Sequence, residues 1–329
     1  MLFDNHGRPI NYVRIAVTDR CNLRCFYCMP EEGIQYMPKK ELLTFEEIER
    51  LVTLLAQMGI SKVRFTGGEP FVRKDFMRLV QSVSAIDGIT NIHLTTNGVL
   101  TAPHVKELKQ AGVKSVNLSL DTLDKERFKQ ITRRDEFDKV METLDLLLNE
   151  DINVKINAVV MEGKNIEDIL PLVAFTQSKR VSVRFIEEMP FNGEGSHYPI
   201  LQWTHNKIID HIRSSYPVLN KLKDESNSTS YNYAIPGHQG NVGVIAAFSR
   251  TFCGTCDRIR ITAQGTLKTC LYDDGVLNIR DLMRAGSSDD DLKEILLRAF
   301  KNRAKDGFEA ERQRKTGTGV SESMSTIGG

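Results

Sequence analysis

The sequence predicts an α/β fold: a partial six-stranded (β/α) barrel over residues 1–189, followed by an α+β extension over residues 190–329. Three observations carry that reading. Six short apolar runs alternate with stretches of helical period between residues 12 and 186, a rhythm that argues for parallel strands joined by right-handed crossovers. Polar residues gather just beyond the C-terminal ends of those runs, which favours a curved barrel over a doubly wound open sheet. After Met189 the alternation stops.

The first strand is expected over 12–17. Thr44-Phe45-Glu46-Glu47 is a capping-box signal, and Phe45, Ile48, Leu51, Val52, Leu55 and Met58 recur at helical spacing until Gly59. Strands over 63–66, 92–95, 116–120, 154–160 and 181–186 then alternate with helices over 76–85, 105–111, around Phe128, over 137–148 and over 166–175. Gly112 closes the helix over 105–111. In the extension a helix is expected over 203–212, a polar loop over 224–230, strands over 231–235, 242–247 and 259–262, and helices over 279–284 and 292–301. From about Thr316 the chain is rich in Gly, Ser and Thr, the composition of a frayed end. There is no repeat of fixed period.

At 329 residues the chain can bury a substantial core, in one large or two modest domains. Its 40% hydrophobic and 26% charged residues exclude a chain too polar to fold. A formal net charge of +1 provides no global field for nucleic acid or an anionic membrane, so neither is expected as a partner. No apolar run approaches membrane-spanning length, and the first residues lack the basic start and apolar stretch of a signal peptide. The expected compartment is the cytoplasm.

The six cysteines fall into two groups of three: Cys21, Cys25 and Cys28, then Cys253, Cys256 and Cys270. Grouped cysteines in a cytosolic chain point to metal rather than disulfides. Three ligands is the informative number. A structural zinc site closes with four, and neither group has an obvious local fourth. Three thiolates on a 4Fe–4S cubane leave one iron free for an outside molecule. Zinc remains the rival at this point: Cys25-x-x-Cys28 is also half of a zinc ribbon or a redox dithiol. Cys25, Cys28, Cys253 and Cys256 could form one four-thiolate site, though that would strand Cys21 and Cys270.

Other strand-end residues read two ways. Gly67-Gly68-Glu69-Pro70 allows close backbone approach to a ligand, or is simply a turn. Thr95-Thr96-Asn97-Gly98 and Ser119-Leu120-Asp121 read as caps and turns. Arg14, Arg64 and Lys155 lie within apolar strands, so some are expected to point into the barrel. There a phosphate-rich ligand would offset them, as it would Arg258 and Arg260.

The spacing Cys21-x-x-x-Cys25-x-x-Cys28, with the aromatic Tyr27 before the third cysteine and Gly67-Gly68-Glu69 after the second strand, resembles the radical S-adenosylmethionine (SAM) enzymes. That resemblance implies a partial six-stranded barrel and SAM on the open iron of the Cys21/Cys25/Cys28 cluster. It further implies SAM contacts from Tyr27, Gly68, Glu69, Thr95, Ser119 and Met189. Gly7-Arg8, Arg14 through Cys21, Cys28-Met29-Pro30, Arg64 through Pro70, Asn117 through Asp121, Arg184 through Glu187, Phe252 through Arg260 and Ile327-Gly328-Gly329 extend the resemblance. Over essentially the full length they resemble the GTP 3′,8-cyclases, the radical SAM family that opens molybdenum cofactor biosynthesis.

This resemblance implies two 4Fe–4S clusters, the second on Cys253, Cys256 and Cys270 holding the guanine base. It assigns Arg14, Arg64, Lys155, Arg258 and Arg260 to GTP, mainly its triphosphate. Gly328 and Gly329 would reach the active site and be needed for activity. The implied chemistry is hydrogen removal from C3′ of GTP by a 5′-deoxyadenosyl radical, attack on C8, and reduction to 3′,8-cyclo-7,8-dihydro-GTP. The implied partners are GTP, a flavodoxin- or ferredoxin-like electron donor, and a downstream cyclic pyranopterin monophosphate synthase, with room for a homodimer. Little between Phe191 and Asn241 matches the family, and Phe71 stands where it often has Leu. The rival readings are a radical SAM enzyme that modifies a peptide and uses the second cluster as a relay, and a non-catalytic zinc protein.

Overall fold

The computed structural model describes residues 2–191, 201–314 and 322–328. Strands β1 (Tyr12–Ala16), β2 (Lys62–Thr66), β3 (Asn91–Thr96), β4 (Val113–Ser119), β5 (Asn153–Val160) and β6 (Ser182–Glu187) fall where the apolar runs predict them. Between them lie α1 (Phe45–Gln57), α2 (Phe76–Ser84), α3 (Val105–Gln110), α4 (Lys125–Thr132), α5 (Phe137–Asn149) and α6 (Ile169–Phe175). The later chain gives α7 (His205–Ser215), β7 (Asn220–Lys221), β8 (Ser230–Ala234), β9 (Asn241–Ile245), β10 (Arg258–Ile261), β11 (Thr266–Lys268) and β12 (Leu277–Asn278). It continues with α8 (Ile279–Arg284), α9 (Asp289–Phe300), α10 (Gly307–Arg312) and α11 (Met324–Ile327).

Local chemistry accounts for the clearest boundaries. The capping box of α1 forms as its sequence predicts, with Thr44 Oγ1 accepting from Glu47 N at 3.1 Å and Glu47 Oε2 accepting from Thr44 N at 2.8 Å. Ile48, Leu51, Val52 and Leu55 on its inner face are buried, joining Val13, Ile15, Val63 and Phe65 in the main core. Each such side chain contributes about 2 kcal/mol through burial. Period-2 alternation then dictates where the cations go. Val13 and Ile15, Val63 and Phe65, and Ile259 and Ile261 face the helices, which turns Arg14, Arg64, Arg258 and Arg260 to the other face of the sheet.

The sheet order is β12-β11-β10-β1-β2-β3-β4-β5-β6-β9-β8-β7. The six expected strands are consecutive and parallel, and the extension adds a parallel strand at each side: β10 beside β1 and β9 beside β6. Outside these the pairs are antiparallel, and β7 and β12, each paired on one side, form the two edges. Hydrogen bonds therefore do not close the sheet. It curves all the same, because Arg14 of β1, Asn117 of β4, Asn157 of β5, Arg184 of β6 and Arg260 of β10 line one cavity.

Two expectations change. The elements that composition passes over are short (β7, β11, β12, α10), and neighbouring strands or loops rather than periodicity create them. The frayed end expected from Thr316 is overturned for residues 322–328: Ser323, Ser325, Ile327 and Gly328 are buried, and α11 packs on Phe191 and Tyr272. Hydroxyls that look disordering by composition are spent there on caps and on the cysteine loop.

Candidate active site

The loop after β1 presents the first three thiols. Cys28 N donates to Cys25 O at 2.9 Å and Met29 N to the same oxygen at 3.1 Å, a tight turn that brings Cys25 and Cys28 to one side. Gly68 N donates to Thr18 O and Glu69 N to Arg20 O, both at 2.8 Å, laying the Gly-Gly-Glu segment against the approach to Cys21. A Cβ on Gly68 would meet Arg20 O at 2.3 Å, so a side chain there would force the two segments apart. Asn97 Nδ2 donates to Cys21 Sγ at 3.6 Å and to Asn22 Oδ1 at 2.8 Å. Tyr27 is fixed through its hydroxyl, which donates to Asp121 Oδ2 at 2.8 Å.

Cys21, Cys25 and Cys28 face a cavity with about 1070 Å³ of atom-free space, and Tyr27, Gly68, Thr95, Ser119 and Met189 stand in its wall. Of the six expected SAM contacts only Glu69 is not in that wall. It is wholly buried, its carboxylate accepting from Thr96 Oγ1 at 2.8 Å, Asn97 N at 2.7 Å and Phe71 N at 3.2 Å. Burial pushes Glu69 up to about 7 against those hydrogen bonds, and Asp121 up to about 6. Burial, helped by Glu69, takes the Cys21 thiol up to about 12, and burial with Asp121 raises Cys25 well above the ordinary range.

Cys253, Cys256 and Cys270 line a neighbouring cavity of about 1060 Å³ with Arg14, Arg184, Arg258, Arg260 and Arg303. Burial raises Cys253 and takes Cys270 up to about 12, as in the first group, but Cys256 goes the other way. Burial works to raise Cys256, but Arg258, Arg303 and Arg260 outweigh it and bring the thiol down to about 7. Arg303 Nη2 donates to Cys256 Sγ at 3.8 Å, and Arg8 Nη1 to Cys253 O at 3.0 Å. Asp4, buried between these two arginines, pairs with Arg8 at 2.6 Å and Arg303 at 3.1 Å. Other donors in this wall have no partner: Arg14 Nε, Arg184 Nε and Arg260 Nε are buried and make no hydrogen bond, as are Asn117 Oδ1 and Asn157 Oδ1 among acceptors.

Of the expected GTP contacts, Arg14, Arg258 and Arg260 share this cavity and two residues do not. Arg64 is buried beneath it, donating to Tyr12 Oη at 2.5 Å and Leu94 O at 3.0 Å. Burial opposes ionisation of Tyr12, but Arg64, Arg14 and Lys62 draw its hydroxyl down to about 7. Lys155 opens instead onto a polar vestibule with Lys223 and Asn232. Burial, then Arg184 and Arg64, lower its ammonium to about 8. Arg184 lines both spaces and joins them.

The two cavities share Asn157, Ile186, Met189 and Met324 as a common wall. Gly328 is buried against β1 and β2, where a Cβ would meet Thr66 Oγ1 at 2.4 Å. Gly329 lies outside the described residues. Sequence reading named Arg184, Asn97 and Asp121 without giving them a site role, and did not name Arg303 or Met324. Arg184 carried the same signal as Arg14, a cation between Val183 and Phe185 in an apolar strand. Arg303 carried none, since only tertiary folding brings it to Cys256.

Whether these thiols suit a cluster can be tested on the donor set. All six cysteines are free. Among the described residues no three His, Cys, Asp or Glu side chains gather closely enough to share one metal ion. Three sulfurs at each cavity are the donor set that a cluster with one open iron would take, and one short of a closed zinc site. The trios also face different cavities, which does not favour the four-thiolate zinc site that would join them.

Comparison with known proteins gives two family matches: the Radical SAM superfamily over residues 15–176 and Molybdenum Cofactor Synthesis C over residues 181–308. The chain is 40% identical to the GTP 3′,8-cyclase of Peptoclostridium acidaminophilum, covering 100% of this chain and 98% of that one. It is 44% identical to Molybdenum cofactor biosynthesis protein 1 of Mus musculus, covering 90% of this chain and 46% of the relative. It therefore spans about half the length of that relative and of its bovine, human and Dictyostelium discoideum counterparts. In fold it is similar to Streptococcus suis SuiB bound to S-adenosylmethionine, with a TM-score of 0.61 at 16% identity, over 95% of this chain and 71% of that one. No helix among the described residues is long and apolar enough to cross a membrane.

Proposed function

Because the chain belongs to the radical SAM family that includes the GTP 3′,8-cyclases, we propose that it converts GTP to (8S)-3′,8-cyclo-7,8-dihydroguanosine 5′-triphosphate, the first step of molybdenum cofactor biosynthesis. The observation that carries the substrate is the set of buried, unpartnered guanidinium donors of Arg14, Arg184 and Arg260 in one cavity. Leaving such groups unpaired is costly, and a triphosphate has the charge and oxygen geometry to satisfy them. Cys21, Cys25 and Cys28 would hold one 4Fe–4S cluster, and Cys253, Cys256 and Cys270 the second. Bound there, the first supplies the electron that splits SAM to generate a hydrogen-abstracting radical, and the second offers an open iron to the base.

The rest of the work belongs to the chain's own residues. Gly68 lets backbone approach SAM, with Tyr27, Thr95, Ser119 and Met189 around it, and Glu69 holds that loop from beneath. Arg14, Arg184, Arg258 and Arg260 take the triphosphate, while Arg64 and Lys155 add charge from behind. Held at the base and at the phosphates, GTP would present its ribose to the wall the two cavities share. Ile186, Met189 and Met324 make that wall apolar, which keeps water from a reactive carbon. Gly328 brings the tail close without a side chain, and Gly329 is taken with it as needed for activity. The same reading takes a flavodoxin- or ferredoxin-like electron donor, passes its product to cyclic pyranopterin monophosphate synthase, operates in the cytoplasm and admits a homodimer.

The test is iron, sulfide and zinc content of anaerobically purified protein, followed by product analysis with SAM, GTP and a reductant. About eight irons and eight sulfides per chain are expected, with 5′-deoxyadenosine and a cyclised GTP. Deoxyadenosine without altered GTP would move the substrate elsewhere, and zinc without sulfide would overturn the reading.

A further inference from the structure

Lys268 lies at the end of β11 with no exposed side-chain surface, and its ammonium is 2.5 Å from Glu322 Oε2. The same carboxylate oxygen is 3.9 Å from Arg314, itself paired with Asp274 at 2.6 Å. A buried ammonium is costly without a partner, so this pair holds residue 322 in place. From there the chain runs directly onto the first cysteine loop. Ser323 Oγ donates to Cys28 O at 2.6 Å and lies 3.9 Å from Cys28 Sγ, while the Ser325 N–H donates to Ser323 Oγ at 3.2 Å and holds that hydroxyl in place. Met324 N donates to Phe191 O at 3.1 Å, and the Met324 side chain enters the wall common to both cavities. The adjacent residues Glu322 and Ser323 thus connect the strand preceding Cys270 with Cys28.

We propose that the Lys268–Glu322 pair is a latch seating residues 322–328 so that the Ser323 hydroxyl bears on Cys28 and its Sγ, and that Lys268 and Glu322 thereby set the reduction potential of the SAM-site cluster. The inference rests on the cluster assignment made above. Reduction adds negative charge to a cluster, and a donor on one of its sulfurs stabilises that charge, raising the potential. With the latch open the donor leaves and the potential falls, so an electron donor would deliver its electron downhill only when the tail is seated. Lys268 and Glu322 act through the tail and are positioning residues.

The experiment is a redox titration of cluster-loaded protein by electron paramagnetic resonance, identifying the first cluster by the response of its signal to SAM. Lys268→Met and Glu322→Gln should each shift the midpoint to lower potential. The double variant should shift it no further than either single one, since both break one contact. Ser323→Ala removes the hydroxyl that bears on Cys28 and should shift the midpoint the same way, whereas Ser323→Thr, which keeps a hydroxyl there, should leave it near the parent value. Unchanged midpoints in cluster-loaded variants, or additive shifts in the double variant, would overturn the latch. Variants that do not retain clusters are read by backbone hydrogen exchange over residues 323–328: faster exchange than the parent supports the latch, and equal protection overturns it. A parent protein without iron or sulfide would sink the cluster assignment instead, and the exchange comparison would still decide whether the latch exists.

Discussion

Around Cys21 and Cys25 the ionisable neighbours are the carboxyls of Glu69 and Asp121, whereas around Cys256 they are the guanidiniums of Arg258, Arg303 and Arg260. The sulfur donors are the same in number, and both groups are half-buried. The difference in field comes from where the fold places each kind of charge. The carboxyls enter from turns just past the ends of β2 and β4, and the cations from inward positions within or beside β1, β6 and β10. A region edged with carboxyls suits a ligand carrying a sulfonium and an ammonium, and a region of buried guanidiniums with unpartnered Nε donors on Arg14, Arg184 and Arg260 suits a triphosphate. On the proposed function, two ligands of opposite charge would thereby be kept from exchanging places across one shared wall.

The largest expected effect is on the cationic side. Arg260→Ala removes a buried donor that has no protein partner, and a charge-assisted phosphate contact contributes about 1.5–3 kcal/mol. Steady-state kinetics should show kcat/KM for GTP falling roughly 10- to 100-fold, with the dissociation constant for SAM unchanged. Equal loss of SAM binding in a folded, cluster-loaded variant would erase the distinction between the two cavities. Next in size is the converse. Gly68→Ala places a Cβ at 2.3 Å from Arg20 O and must part the Gly-Gly-Glu segment from the loop leading to Cys21. Calorimetry should show SAM binding weakened about tenfold, an effect of about 1.4 kcal/mol, while GTP binding is retained.

Much of this was legible before the fold was known, for identifiable reasons. Strand order followed from alternation, and the inward cations from Arg14 and Arg64 sitting between apolar neighbours that had to face helices. The cysteine groups were legible because metal chemistry needs specific spacing. Lys155 shows the limit: period 2 turned it inward, but only the sheet's curvature decides that it opens onto a vestibule rather than the cysteine cavity. Glu69 shows another, since a motif position says nothing of whether its carboxylate faces a ligand or three donors of its own loop. The tail was least legible. Its composition is that of a solvated end, and its order depends on a buried lysine about fifty residues away, a pairing that local sequence does not encode.

The contrast also predicts opposite pH responses of stability in cluster-free protein, each on the order of 1 kcal/mol. Glu69 has its folded value raised from 4.5 to about 7 by burial. Between those values the unfolded chain releases a proton the folded chain keeps, so stability is lost as pH rises through the window and levels off above it. Glu69→Gln should flatten that slope in urea unfolding between pH 5 and pH 7, leaving the smaller share of Asp121, raised in the same sense to about 6. Tyr12 is the opposite case. Burial opposes its ionisation, yet Arg64, Arg14 and Lys62 take it from 10.0 down to about 7. Its contribution is complete above 10 and is lost as pH falls through 7, so the parent should gain stability relative to Tyr12→Phe as pH rises from 7 toward 10. Tyrosinate absorbance appearing near pH 7 in the folded parent, and missing from Tyr12→Phe, would tie the gain to that hydroxyl. Parallel stability curves for the two proteins over this range would mean that Arg64 does not draw on a phenolate, and that the field beneath the second cavity is weaker than the buried arginines imply.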